Sequence, residues 1–406
     1  MKLTLLIDWS EGGHNATHLQ AFSAGLRRIG SVVEYLVAPP LAVVLRDAET
    51  TGGGVDPEHV TAVEWPGFLP IRPRSWQISL RRRFFAGRIA NALQGIRGRH
   101  PGASCTLFFT CLFEQDFDLA HRVAELTGLP WTFLYLHPYL FADPPSDRFV
   151  QRQVAEQVLR HPRLAGIATI NEHLIEGIAR FSAKPVIRFP EITDERLEPD
   201  HPLGLRYRQF ARERALVATA GYLGAWKGVG FLARACLAMD PANFAFLFAG
   251  VMPLDTFGPE ERGMVERCLA EAPHAIFHLA RVPDGPPYNA ILAASDVIFA
   301  AFENFPFSSN TLTKAALLRK PVIVSEGSLA ATRVREFRLG AVVPYGDGPA
   351  LIGAIESFAT PEQRETFARQ ARRDEYLALH GAARLEAAFR DLFDAPGGRA
   401  GMSASG

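Results

Sequence analysis

Short apolar runs alternate with amphipathic, helix-like stretches along almost the whole chain, and the alternation lapses once. That rhythm constrains the fold more than any single motif. Strands separated by helices pair in parallel, because a helix is long enough to carry the chain back across the sheet. In the first half the runs are Leu3 to Ile7, Val32 to Val37, Cys105 to Thr110, Trp131 to Leu136, Ile167 to Ile170 and Pro185 to Phe189. Helix-like stretches such as Thr17 to Ile29 and Asp118 to Thr127 lie between them. The pattern lapses in a Pro-, Asp- and Glu-rich stretch from Pro190 to Gly204 and then resumes. Its later runs are Leu216 to Ala220, Phe244 to Ala249, Ile276 to Leu279, Val297 to Ala300 and Val322 to Ser325, with helices at Gly228 to Met239 and Pro259 to Ala272.

Two Rossmann-like domains follow from this, at residues 1–192 and 207–378, with a linker at 193–206. Residues 379–394 read as a C-terminal helix that can pack back on the first domain, and the small-residue tail 395–406 reads as disordered. Open parallel sheets bind ligands beyond the C-terminal ends of their strands, so two such units can face each other across a central cleft.

Charge excludes one class of partner. The 406 residues carry 43 basic and 43 acidic side chains, so no bulk positive field is present to hold nucleic acid. Cys105, Cys111, Cys236 and Cys268 form no metal-ligand spacing and read as buried reduced thiols, and no metal is expected. The N-terminal apolar run reaches Asp8 at once, too soon for a signal peptide. No apolar run approaches the roughly 18 residues that cross a bilayer. A cytoplasmic protein is expected, at most peripheral on the inner face of the membrane.

One turn carries chemistry. After Leu216 to Ala220 come Gly221-Tyr222-Leu223-Gly224-Ala225-Trp226 and then Lys227-Gly228 before a helix. A glycine turn at a helix N-terminus suits an anion, and Lys227 adds a formal charge. A solvated lysine at a helix start is the plainer alternative.

The order of these features resembles the retaining group-1 glycosyltransferases of GT-B fold. The resemblance runs through Gly-x-Leu-x3-Lys-Gly, a strand ending in Ala249-Gly250, then Arg281-Val282-Pro283, Ala294-Ser295-Asp296-Val297 and Lys320-Pro321-Val322-Ile323-Val324-Ser325. In the first half, the loop Gly12-Gly13-His14, the strand ending His137-Pro138, Asn171-Glu172-His173 and Ile187-Arg188-Phe189-Pro190 extend it over nearly the whole chain. It implies transfer of a sugar from a nucleoside diphosphate sugar to a glycan or lipid-linked acceptor, with no cofactor and no obligatory metal. Lys227 would neutralise the donor diphosphate, the backbone of Val282 would hold the base, and His137 would work at the reacting centre. Gly12 and Gly13 would let the backbone approach the ligand, and Gly221 and Tyr222 would border the donor. Asp116-Phe117-Asp118 has the letters of a metal motif but stands at a helix start, where aspartates cap. His14 and His18, spaced as metal ligands can be, lack an evident third ligand.

Two departures matter. Such enzymes carry a Glu-x7-Glu pair before the Pro-Val-Ile strand, and counting back from Pro321 puts Pro306 and Lys314 at those positions. Glu303 lies three residues too early and needs an inserted turn to serve. A lysine only donates, so Lys314 cannot accept from a ribose diol as the second glutamate does. The usual diphosphate arginine is also missing; Tyr222 stands near its place and Arg281 is a possible substitute. In place of the signature, Phe307-Ser308-Ser309-Asn310-Thr311 precedes a helix from Leu312 to Leu318, offering hydroxyls, an amide and N–H groups either to a ligand or simply as a cap.

From Arg72 to Arg99 there are eight arginines and no acid, interleaved with apolar residues. Such a segment suits an anionic membrane surface or a lipid-diphosphate acceptor, or else is a helix packed on the sheet with a solvated arginine face. Besides the glycosyltransferase, two other readings stay open. One is a non-catalytic GT-B homologue that binds a nucleotide, glycan or partner enzyme; the other is a sugar-nucleotide epimerase, whose carboxylates are not evident.

Overall fold

In the computed structural model the described residues are 1–9, 15–47, 55–64 and 75–394, with 75–81 described by backbone alone. The Gly12-Gly13 loop, His14, Arg72, Arg74 and the side chain of Arg81 therefore lie outside the described residues. The chain divides into two compact units, Met1–Ile192 joined by the residues from Ala382 onward, and Thr193–Gly381.

The first unit holds strands β1 (Lys2–Asp8), β2 (Ser31–Val37), β3 (Val60–Ala62), β4 (Ser104–Phe109), β5 (Trp131–Tyr135), β6 (Leu164–Thr169) and β7 (Val186–Arg188). Its helices are α1 (Asn15–Arg28), α2 (Pro39–Asp47), α3 (Ser75–Arg99), α4 (Phe117–Thr127), α5 (Arg152–Leu159) and α6 (Ile175–Ser182). The strands form one parallel sheet in the order β3-β2-β1-β4-β5-β6-β7. Sheets covered on both faces have strands that read as unbroken apolar runs, and β5 is buried at every residue.

Helix α3 lays Phe85, Ala86, Ile89, Leu93 and Ile96 into the core that holds β1, β4 and β5. Packing on the sheet thus accounts for these five residues, while Phe84 is exposed. Among its arginines, Arg82 lies 3.9 Å from Asp116, Arg88 donates to the Glu64 carbonyl, and Arg99 pairs with Glu34. Asp116 stands at the N-cap of α4, but its side chain makes no capping hydrogen bond. It faces Arg82 and Trp9 instead, and burial raises its pKa. Capping is therefore not what its carboxylate does.

The second unit holds β8 (Ala215–Tyr222), β9 (Phe244–Val251), β10 (Ala275–His278), β11 (Val297–Ala300), β12 (Val322–Ser325) and β13 (Gly340–Val343). Its helices are α7 (Pro202–Ala211), α8 (Val229–Ala238), α9 (Pro259–Glu271), α10 (Pro286–Ala294), α11 (Asn310–Leu317), α12 (Leu329–Phe337), α13 (Gly348–Glu356), α14 (Pro361–Gln370) and α15 (Arg373–His380). All six strands are parallel, in the order β10-β9-β8-β11-β12-β13. Asp296 secures the middle of the sheet: its carboxylate accepts from the Leu216 N–H at 2.9 Å and from Arg208 at 2.8 Å.

The acidic stretch after Pro190 is fastened to this second unit rather than strung out as a spacer. The Asp194 carbonyl accepts from Lys314 and Asn289, and α7 already begins at Pro202. After the second unit, α16 (Leu385–Asp394) packs with the first, where Phe389 meets Phe22, Phe108 and Phe189 edge to face. No helix among the described residues is long and apolar enough to cross a membrane. All four cysteines are free and buried.

Candidate functional site

In each sheet the strand order reverses once, between β1 and β4 in the first and between β8 and β11 in the second. At such a point the connections leave in opposite directions and open a crevice at the strand ends. The Lys227 turn follows β8 and the 301–309 loop follows β11, so both flank the second reversal.

The turn runs through a single 3-10 turn, Ala225–Lys227, into α8. The Glu303 N–H donates to the Trp226 carbonyl at 2.8 Å, tying the two loops together. Gly228 has φ 72°, and a Cβ there would lie 2.3 Å from the Ala301 carbonyl oxygen. Only glycine lets the turn approach the end of β11 so closely. Gly228→Ala is expected to destabilise the second unit by about 2 kcal/mol or more, from strain and clash together. Thermal unfolding checks this; an unchanged midpoint would mean that the two loops are not held together.

Lys227 lies on an aromatic shelf. Its Nζ is 4.3 Å from the centroid of Phe302 and 5.0 Å from that of Trp226. Phe305 backs the shelf, 5.5 Å from Trp226 and 5.8 Å from Phe302. No carboxylate among the described residues forms an ion pair with Lys227. Desolvation lowers its pKa to about 8, because rings hold an ammonium less well than water does. The helix end beside it is less open. The Gly230 N–H faces the Glu261 carboxylate, and a Cβ on Gly230 would clash with that side chain. Lys227, more than the start of α8, is what this turn offers an anion.

Beyond the shelf, Glu303 lies against the Tyr345 hydroxyl and near Glu261. The chain then turns through Asn304, at φ 48°. Ser309 caps α11, accepting from the Thr311 N–H at 3.3 Å, and Ser308 is buried. The Nδ2 of Asn310 is buried with no hydrogen-bond partner.

Lys314, one turn into α11, is only 1% exposed. Its ammonium donates to Asn289 Oδ1 at 2.7 Å and to the Asp194 carbonyl at 3.2 Å, and pairs with Asp284 at 3.2 Å. Three donors thus meet three acceptors of the protein itself. Desolvation nevertheless lowers its pKa, with Asp284 acting in the opposite sense.

The first unit carries a separate pocket of about 240 Å³, lined by Phe113, Glu114, Gln115, His137, Tyr139 and Phe149. His137 follows β5, and burial lowers its pKa to about 4, so the imidazole is neutral at pH 7. Glu114 is 3% exposed. Its Oε1 accepts from the Tyr135 hydroxyl and the Leu140 N–H, while Oε2 has no partner. Burial raises its pKa. Sequence reasoning missed Glu114, since a single glutamate after a strand carries no signal of its burial.

No protein-family model matches this chain, and no curated protein matches it. Solved structures do. HepE from Anabaena, solved with UDP and glucose, superposes with a TM-score of 0.71 at 14% identity, over 97% of this chain and 100% of that one. Sucrose-phosphate synthase from Thermosynechococcus elongatus gives 0.67 at 17% identity, over 97% and 100%. A glycosyltransferase from Rickettsia africae gives 0.66 at 12% identity, over 100% and 99%. This chain has the GT-B fold. At such identities the likeness establishes the fold and leaves the activity to the residues.

Among the residues singled out from sequence, the GT-B second unit brings Gly221, Tyr222, Lys227 and Glu303 to the reversal between β8 and β11. Gly221 reaches Tyr288, which donates to the Ala220 carbonyl at 3.0 Å. Tyr222 is half exposed. Ser308, Ser309, Asn310 and Thr311 sit at the start of α11, with Lys314 buried beneath. Arg281 is exposed after β10, and Val282 packs, partly buried, against the second unit's core. His137 belongs to the other unit.

Proposed function

We propose that this GT-B protein is a glycosyltransferase whose second unit binds a nucleoside diphosphate sugar and whose first unit takes a glycan or lipid-linked acceptor. The single observation that carries the reading is the Lys227 ammonium, held on Phe302 and Trp226 at a strand-order reversal with no carboxylate partner among the described residues. Such a cation is stabilised by an anion that brings its own negative charge, and a diphosphate fits. HepE was solved with UDP-glucose as well as UDP, which supports the same class of donor.

In the proposed reaction the bond from the anomeric carbon to the diphosphate breaks, the acceptor's hydroxyl oxygen bonds to that carbon and gives up its proton, and charge accumulates on the departing phosphate. Lys227 stabilises that charge without an obligatory metal. His137, neutral at working pH, can hydrogen-bond to a sugar but adds no charge. The pocket around it, with Phe113, Tyr139 and Phe149 as faces and Glu114 as acceptor, suits a sugar ring. Retention of anomeric configuration is part of the proposal and follows the resemblance read in the sequence.

Thermal unfolding with UDP, GDP, ADP, TDP and CDP tests the donor site. A nucleotide at a hundred times its Kd adds about 2.7 kcal/mol, or roughly 5–10 °C. One base should stand out; no shift with any of them removes the donor site. The buried, fully bonded Lys314 favours a second reading, a GT-B protein that binds nucleotide without turnover. Release of nucleoside diphosphate from the matching sugar nucleotide separates the two, because only an enzyme produces it.

A further inference from the structure

Two clusters of imidazole and carboxylate lie in the first unit, away from the strand-order reversal: Glu34 with His59 and His100, and Glu125 with His121 and His161. They differ in a way that decides between them. His161 Nδ1 accepts from the Trp131 indole N–H at 3.2 Å and from the Arg163 N–H at 3.3 Å. Its proton must therefore sit on Nε2, where it donates to Glu125 at 2.6 Å. A nitrogen that must keep its proton is not a metal ligand.

The Glu34 cluster has the opposite logic. Glu34, in the middle of β2, is fully buried. His59 stands directly before β3, and His100 directly after α3. Both imidazoles point at one oxygen: His59 Nδ1 and His100 Nε2 lie 3.0 and 2.6 Å from Glu34 Oε1. Outer contacts hold the cluster in place. Arg99 donates to Glu34 Oε2 at 2.6 Å. His59 Nε2 lies 3.7 Å from Asp56 Oδ2, while the other Asp56 oxygen accepts from the Glu58 N–H. Both nitrogens of His59 thus face carboxylates. An imidazolium meets both, and so does a metal ion on Nδ1 with the proton on Nε2; the metal is distinguished by His100, which turns a second imidazole nitrogen to the same Glu34 oxygen.

We propose that Glu34, His59 and His100 form a binding site for a divalent transition metal, with zinc as the best fit to two imidazoles and a carboxylate. Asp56 and Arg99 orient the ligands, in the way outer carboxylates and hydrogen bonds do around ligating groups. Tetrahedral coordination at about 2.0–2.1 Å separates ligand atoms by about 3.3 Å. His59 is nearly placed for this, and His100 must draw back by about 0.7 Å. It can, because it sits in the turn His100-Pro101-Gly102 and lines an open cavity of about 340 Å³. Of the three ligands, His100 is the one that lines this cavity. The metal joins β2, the lead into the edge strand β3 and the end of α3. It lies away from the strand C-terminal ends, so its work is to fix the sheet edge.

The test uses the full-length protein stripped with a chelator and titrated with Zn(II), then with Co(II). One equivalent of Zn(II) should bind, raising the unfolding midpoint by roughly 5–10 °C at a hundred times Kd. Co(II) should give the intense visible absorption of a tetrahedral site with nitrogen ligands. His59→Ala and His100→Ala should each lose both signals. Asp56→Asn, which keeps the fold's contacts, should weaken Zn(II) about 10–100-fold. Glu125→Gln, in the other cluster, should change neither. The proposal is overturned if the stripped wild type takes up no stoichiometric Zn(II), if Co(II) stays spectrally octahedral, or if binding survives both histidine substitutions.

Discussion

Lys227→Ala is expected to weaken binding of the matching nucleoside diphosphate about 100-fold, or about 2.7 kcal/mol, and to lower turnover by about 10²–10³-fold. The expectation follows from a cation that lacks an internal anionic partner among the described residues, so that a diphosphate loses its main electrostatic contact when the ammonium goes. A pH series sharpens it. Lys227 has a pKa of about 8 without ligand, and a bound diphosphate raises that value. Affinity is therefore fully present below about pH 8 and falls as pH rises above it, approaching tenfold per unit until the pKa of the complex is reached. The same depression acts on folding with the opposite consequence. Above about pH 8 the folded state binds fewer protons at this site than the unfolded chain, so stability without ligand rises with pH through that window. Lys227→Met should accordingly unfold no earlier than wild type without ligand while losing the nucleotide response. Titration calorimetry from pH 6.5 to 9.5 measures the first effect. A wild-type affinity flat across that range, with Lys227→Ala binding equally well, would take the diphosphate away from this residue.

Much of the fold could be read from the residues because buried parallel strands announce themselves as apolar runs. Val297–Ala300 and Val322–Ser325 fall on the strands read from sequence. The strands that escaped, Val60–Ala62 and Gly340–Val343, are sheet edges with one fully buried residue each, so they lack the unbroken apolar character of Val297–Ala300 and Val322–Ser325. At the site, the Lys227-Gly228 turn was legible because its spacing to the following helix is local. The shelf under Lys227 was not, since Phe302 and Phe305 follow a different strand and come under the ammonium only through sheet order. Lys314 stood out as the wrong residue type for its place. Its acceptors could not be anticipated, because Asp194 lies 120 positions away and Asn289 belongs to another helix. The arginine-rich segment has two readings in the sequence, and the core takes Phe85, Ile89 and Leu93 while Phe84 stays exposed, a division that spacing alone does not reveal.

Lys314→Met is expected to destabilise the second unit by about 3–5 kcal/mol, the cost of removing one partner from a buried ion pair. Methionine fills a similar volume, so the loss is electrostatic. The Asp284 carboxylate, Asn289 Oδ1 and the Asp194 carbonyl all lose their donor at once. In thermal unfolding this corresponds to roughly 6–20 °C for the second unit's transition. Asp284→Asn should cost less, because the ammonium keeps its two neutral acceptors. Combined with Lys314→Met it should recover at least about 1 kcal/mol relative to Lys314→Met alone, since no buried carboxylate is then left without its cation. Strict additivity in that cycle would mean that Asp284 and Lys314 are not coupled. Lys314→Glu is the harsher case. It places a second carboxylate among three acceptors and no donor, so it should unfold earlier than the methionine variant and recover in part at low pH, where the carboxyls take up protons. The position therefore cannot return to an acid by one substitution; Asp284 and Asn289 would have to change with it. A Lys314→Glu protein as stable as wild type would show instead that the ammonium does not hold the start of the second unit to α10 and α11.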